Sequence, residues 1–186
     1  MRKDFGAKPW IYPQVVFIIG TYNEDGTPNA MNAAWGGVGD TEQIFMCISS
    51  THKTTENILR AKEFTVSLGT LDQMVACDYV GLVSGNDDPE KMARTGWHFS
   101  KASQVNAPVI DELPMTFECK LISYNAHYGY LFGEILNLSV DKRILAGDKI
   151  DVDKLRPISF DGANGEYRVL GEKVGDAFSV GLKLKE

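Results

Sequence analysis

The sequence predicts a mainly β domain, an antiparallel barrel or strongly curved sheet with two or three short helices packed outside it. Two observations carry this expectation. About eight apolar or alternating runs of strand length span the chain, and several neighbours are separated only by hairpin signals, Asn23-Glu24-Asp25-Gly26 and Asn125-Ala126-His127 among them. Strand–helix alternation, the mark of a parallel sheet, does not persist past Val83, and no GxGxxG occurs, which argues against a Rossmann-type nucleotide domain.

Pro9, Trp10 and Pro13 open an extended lead-in, after which Val15 to Tyr22 reads as a buried strand. Asp25-Gly26 supplies the positive φ of a tight turn into a second strand over Thr27 to Trp35. That arm ends in Asn32-Ala33-Ala34-Trp35-Gly36-Gly37. Small residues there let another backbone or a flat ligand approach, with Trp35 either the wall of such an opening or an ordinary core residue. Gln43 to Ile48 is a third strand. Thr55 to Lys62 is a short helix with Glu56 early and Arg60 and Lys62 late, which complements its dipole.

Glu63 to Leu68 reads as a strand, and Leu71, Met74, Val75, Tyr79 and Leu82 fall at helical spacing within Leu71 to Val83. Asp87-Asp88-Pro89-Glu90-Lys91 starts a further short helix. The following Met92 to Lys101, rich in bases and aromatics, suits a loop over a ligand and equally a surface turn with a buried Trp. Met115 to Asn125 places Phe117, Cys119 and Leu121 inward and Thr116, Glu118 and Lys120 outward. Tyr128 to Val140 completes a long hairpin with it. Arg143 to Lys154 is polar and charged, and Ile158 to Phe160 and Tyr167 to Leu170 are short closing strands.

The 186 residues suit a single domain over 1–186 with a core of about 15–170, and 44% hydrophobic with 24% charged residues is ordinary for a globular protein. A net charge of −6 repels nucleic-acid phosphates and anionic lipid, so neither nucleic acid nor membrane is an expected partner. The N-terminus lacks a signal-peptide apolar core, and a cytoplasmic location is expected. Cys47, Cys77 and Cys119 are odd in number and widely spaced, which suits buried thiols. No CxxC or HExxH pattern occurs and His52, His98 and His127 are isolated, so no metal site is expected.

The stretch richest in chemistry is Ser49-Ser50-Thr51-His52-Lys53-Thr54-Thr55, at a strand-to-helix junction. Helix N-terminal N–H groups, hydroxyls and Lys53 together suit an anion, a phosphate above all. N-capping alone accounts for one or two of these hydroxyls.

These residues, with Asn32-Ala33-Ala34-Trp35, Asp88-Pro89-Glu90-Lys91-Met92, Thr95-Gly96, Phe117-Glu118-Cys119-Lys120 and Gly133-Glu134-Ile135, occur in an order that resembles the flavin reductase-like, FMN-binding split-barrel family. Within it the flavoredoxin type is the nearest in pattern, and the resemblance covers roughly 15–169. It implies a six-stranded Greek-key split barrel with peripheral helices, a homodimer, and FMN near the subunit interface. By the same resemblance Ser49, Ser50, Thr51, His52, Lys53, Thr54 and Thr55 would hold the FMN phosphate, and Asn32, Ala33, Ala34 and Trp35 would line the isoalloxazine. Lys91 would lie near the flavin, with Trp35 as a second tuning residue, and a loop carrying Trp97, His98 and Ser100 would cover it. No catalytic acid or base is required, because the cofactor carries the redox chemistry. The implied role is electron transfer from NAD(P)H or a protein donor through FMN to a small or protein acceptor. A flavoredoxin-type carrier and a non-catalytic FMN sensor are the alternatives.

Overall fold

The computed structural model describes residues 1–185. In chain order, β1 (Gln14–Val15), β2 (Phe17–Tyr22), β3 (Pro28–Ala33), β4 (Gly36–Asp40) and β5 (Gln43–Cys47) lead to helix α1 (Lys53–Ala61). Then come β6 (Glu63–Leu68), helix α2 (Met74–Leu82), β7 (Phe99–Lys101), β8 (Pro108–Ile110), β9 (Met115–Asn125) and β10 (Tyr130–Val140). Last are the small hairpin of β11 (Leu145–Ala146) and β12 (Lys149–Ile150), helix α3 (Val152–Leu155), β13 (Ile158–Asp161) and β14 (Glu166–Val169).

Seven strands form one antiparallel, curled sheet in the order β3-β2-β6-β9-β10-β5-β4. Its two edges, β3 and β4, are neighbours in sequence and are joined through Ala34 and Trp35. The sheet is thus a barrel split at the Asn32-to-Gly37 stretch. The β4–β5 ladder runs on into this stretch, with the Cys47 N–H donating to the Trp35 carbonyl at 2.7 Å.

The unbroken apolar run in β2 has a physical reason: both of its faces are covered. Phe17 and Ile19 point into the barrel with Met31, Met46, Phe64 and Leu131. Val16 and Ile18 point outward into a second core with Cys77, Val80, Trp97, Ile110 and Ile158, under α2 and the 92–113 segment. Each such side chain contributes about 1.5–3 kcal/mol on burial. Gly133 stands against Phe64, and the register of β9 with β10 shifts at Phe132/Gly133 and again at Ile135/Asn137, which bends that long hairpin around the barrel.

Several local expectations are corrected. Val15 leaves the main sheet and pairs with Ser159 in a separate sheet, β1-β13-β14. Helix α1 begins at Lys53, two residues earlier than expected, with His52 rather than a Ser or Thr at its N-cap. Asp87 to Lys91 forms turns that lead into a single 3-10 turn at Ala93–Thr95 in place of an α-helix: Asp87 and Asp88 N–H groups both donate to Ser84 O, and the Asp88 carboxylate takes the Glu90 N–H. Short polar side chains that capture nearby N–H groups compete with helix in this way.

Thr116 and Glu118, expected to face water, are buried. The 102–107 segment covers that face of β9, and Glu118 accepts from the Gln104 N–H at 2.6 Å, Ser103 Oγ at 3.0 Å and Asn137 Nδ2 at 2.8 Å. Burial alone would push the Glu118 carboxyl up, but these donors outweigh it and hold it below its ordinary range. Among the described residues no helix is long and apolar enough to cross a membrane.

Candidate functional site

The split in the barrel opens into a cavity of about 320 Å³. Asn32, Ala33, Ala34 and Trp35 form one side, and Cys47, Ile48 and His52 one end. Helix α2 supplies Asp78, Gly81 and Leu82, and the outer wall is Phe160 and Tyr167. A second cavity of about 200 Å³ shares Met31, Asn32, His52, Gly81 and Leu82 with the first. It adds Asn29, Lys53, Thr54 and Lys91. The shared lining sets the two side by side along one trough, apolar at the Trp35 end and basic at the Lys53 and Lys91 end.

Small residues and strand pairing account for these walls. A Cβ on Gly81 would stand 3.0 Å from the Asn32 Cβ, so glycine lets α2 lie directly on β3. The Asn32 side chain then donates to the Cys77 carbonyl at 2.9 Å, which fixes strand to helix. Trp35, placed beyond the end of β3, is half exposed, and its ring centroid lies 6.0 Å from that of Phe160. Phe160 is brought there by the pairing of Gln14 with Phe160, while the Gln14 side chain donates to Ala34 O at 2.8 Å.

At the basic end, the His52 side chain makes no capping bond to α1, and the first intrahelical bond runs from Glu56 N to His52 O. The N–H groups of Lys53, Thr54 and Thr55 therefore lack helical acceptors, the condition that suits an anion. Lys53 lines the trough and pairs with Glu56 at 3.0 Å. Lys91 is buried, its ammonium donating to Ala30 O at 2.8 Å and Val80 O at 3.0 Å. Among the described residues no carboxylate pairs with it, and desolvation lowers its pKa to about 8. A lysine ammonium has three N–H donors, so one remains for a ligand. His52 is held below its usual pKa, by desolvation first and by Lys91 second, and is neutral at pH 7.

The predicted phosphate residues divide into two groups. Thr54 and Thr55 are buried and spoken for: Thr54 Oγ1 accepts from Asn29 Nδ2 at 2.9 Å, and Thr55 Oγ1 donates to Ser49 O at 2.7 Å. They build the turn. Ser49, Ser50 and Thr51 are exposed, with Ser49 Oγ and Thr51 Oγ1 bonded to each other at 2.9 Å.

Three expected residues are not brought to the trough. Trp97 packs in the second core and donates to Gln73 Oε1 at 2.9 Å. His98 is exposed and paired with Glu112 at 2.7 Å, and Ser100 Oγ donates to Asp111 at 2.6 Å. The pairing of β7 with β8 carries both away from the split.

Sequence reasoning missed Asp78, Gly81, Phe160 and Tyr167. Asp78 and Gly81 sit inside a helix whose apolar spacing hid them, and Phe160 and Tyr167 reach the cavity through a long-range pairing that no local pattern announces.

The flavin reductase like domain family matches residues 10–151, most of the chain. The chain belongs to that family. Among solved structures it is similar to a flavoredoxin of Desulfovibrio vulgaris (Miyazaki F), at 34% identity and a TM-score of 0.92, covering 97% of this chain and 100% of that one. A flavoredoxin from Methanosarcina acetivorans shares the fold, at 23% identity and a TM-score of 0.89 over 99% of each chain. An uncharacterized protein of Aquifex aeolicus (strain VF5) is 26% identical over 175 residues, 87% of each chain. The family match stops before Phe160 and Tyr167, so the outer wall of the cavity lies beyond it.

Proposed function

We propose that this chain is an FMN-binding redox protein, with the flavin ring in the cavity between Trp35 and α2 and the phosphate at the N-terminus of α1. The observation that carries this reading is that the two cavities adjoin through shared walls. An apolar slot of small and aromatic residues lies beside a buried ammonium that, among the described residues, no carboxylate pairs with. A planar, largely apolar ring joined to a phosphate matches both ends.

In this reading Lys53, Lys91 and the N–H groups of residues 53–55 bind the phosphate, while Ser49, Ser50 and Thr51 lend hydroxyls from the rim. Main-chain groups of Ala33 and Ala34 address the polar edge of the ring. Trp35 and Phe160 cover it and exclude water. When bound, FMN supplies the redox chemistry itself, taking up a hydride or electrons and passing them on. Family membership and likeness to flavoredoxin support a flavin-linked redox role. The donor is NAD(P)H or a reduced protein, the acceptor a small molecule or protein, and the working form a homodimer with flavin near its interface.

The 34% identity to a flavoredoxin favours the carrier form over a nicotinamide-dependent reductase. Stopped-flow reduction of the FMN-loaded protein by NADH, NADPH and a reduced ferredoxin separates them. Fast reduction by ferredoxin alone is expected for a carrier; fast reduction by a nicotinamide alone overturns that form. No reduction by any of the three would leave a binding module without turnover.

A further inference from the structure

The apolar end of the trough holds one charged side chain that the binding of a phosphate does not use. Asp78, on α2, lines the 320 Å³ cavity and is half buried. Its carboxylate accepts a hydrogen bond from Tyr167 Oη at 2.7 Å. No basic group lies within salt-bridge distance of it among the described residues, and Tyr167 is its one side-chain donor there, whereas two other carboxylates facing the interior are met by three or more donors each. Glu118 has its ring of donors, and Asp161 takes Tyr12, Asn164 and Arg168. Asp78 lies within the stretch matched by the family and Tyr167, from β14, beyond it, so the partner that fixes Asp78 comes from a part of the chain outside the match.

The placement is electrostatically lopsided. Lys53 and Lys91 line the one cavity and Asp78 the other, so the two signs of charge stand at different ends of the trough. Carried to its oxidised and reduced forms, a flavin in this cavity takes up two electrons from its donor and one proton from solvent at pH 7, and so becomes more negative by one charge. A fixed carboxylate nearby opposes that gain. Burial and the bond to Asp78 both keep the Tyr167 phenol protonated, so it remains a donor that fixes the carboxylate in place.

We infer that Asp78, oriented by Tyr167, holds the reduction potential of the bound flavin down, and that Tyr167 acts as its positioning residue. This rests on the FMN reading above. One unit charge acting across a cavity of this size, at an effective dielectric of about 20, changes the ratio of affinities for reduced and oxidised flavin on the order of tenfold. For a two-electron couple that corresponds to about 30 mV.

The test is a reductive titration of the FMN-loaded protein at pH 7 against a reference dye, with FMN affinity measured alongside. Asp78→Asn is expected to raise the midpoint potential by about 30 mV or more, its affinity for reduced FMN rising about tenfold relative to that for oxidised FMN. Asp78→Glu keeps the charge and is expected to keep the wild-type potential; Asp78→Ser serves as the neutral variant should the Asn form not fold. Tyr167→Phe, which frees the carboxylate without removing it, is expected to shift the potential less than Asp78→Asn. An unchanged potential in the neutral variant, or an equal rise in Asp78→Glu, overturns the assignment while leaving FMN binding standing. A wild-type protein that binds no FMN overturns both.

Discussion

Replacing Lys91 by Met tests whether an uncompensated cation is buried at the basic end of the trough. The ammonium is almost inaccessible, bonded among the described residues only to the Ala30 and Val80 carbonyls, and desolvation brings its pKa from 10.5 to about 8. Below pH 8 both folded and unfolded chains hold the proton, and the native state carries the full cost of burying the charge. Between about pH 8 and 10.5 the unfolded chain keeps a proton that the native state has released. Stability then rises with pH, because the unfolded state binds more protons. At about 1.4 kcal/mol per pH unit the whole gain is on the order of 3 kcal/mol. Lys91→Met has no such proton. It leaves two buried carbonyls without that donor, a loss of about 1–3 kcal/mol each that offsets much of the relief from removing the charge. The two proteins are therefore expected to be similar in stability near pH 7. The wild type then gains on the variant by roughly 2–3 kcal/mol by pH 10. Urea unfolding followed by tryptophan fluorescence at steps of pH measures this. A difference between the two proteins that stays flat from pH 7 to 10 would refute a buried, desolvated ammonium.

Gly133→Ala places a Cβ 2.6 Å from Phe64 Cζ and 3.3 Å from Ile44 Cγ2, in the barrel core. It is expected to lower stability by about 1–3 kcal/mol, read as a shift in the urea midpoint without a change in slope. His98→Ala and Ser100→Ala remove groups whose partners, Glu112 and Asp111, lie on the β7–β8 hairpin side and away from the trough. FMN affinity, measured by flavin fluorescence, is expected to stay within about twofold of the wild type in both, as for exposed substitutions generally. A large loss in either would return that loop to the binding site.

The sheet was legible where its physics is local. The alternation in β9 and β10, the Asp25-Gly26 turn with Gly26 at a φ of +83°, and the apolar run of β2 each announce themselves within a few residues. Outward and inward faces were less legible. Glu118 reads as a solvent residue until the 102–107 segment folds over it, and nothing near Glu118 in the chain signals that cover. At the candidate site, the composition of the hydroxyl-rich junction pointed to the start of α1, where Lys53 lines the trough. It did not separate Thr54 and Thr55, whose hydroxyls are bound within the turn, from Lys53 and the free N–H groups beside them. Lys91 looked like one more charge in a charged segment; its burial depends on packing between β3 and α2. Phe160, Tyr167 and Asp78 were hidden because they meet the slot across about 45 to 135 residues of chain, a distance that local patterning does not encode.

The most direct measurement is flavin retention. The purified protein is mixed with FMN, desalted, and examined for bound flavin by its visible absorbance and by quenching of its fluorescence beside Trp35. One FMN per chain is expected, with riboflavin, which lacks the phosphate, bound far more weakly. Lys53→Met is expected to weaken FMN by about tenfold or more, as loss of a charge-assisted contact does. A colourless protein after desalting, or equal binding of FMN and riboflavin, would contradict a flavin phosphate at the start of α1.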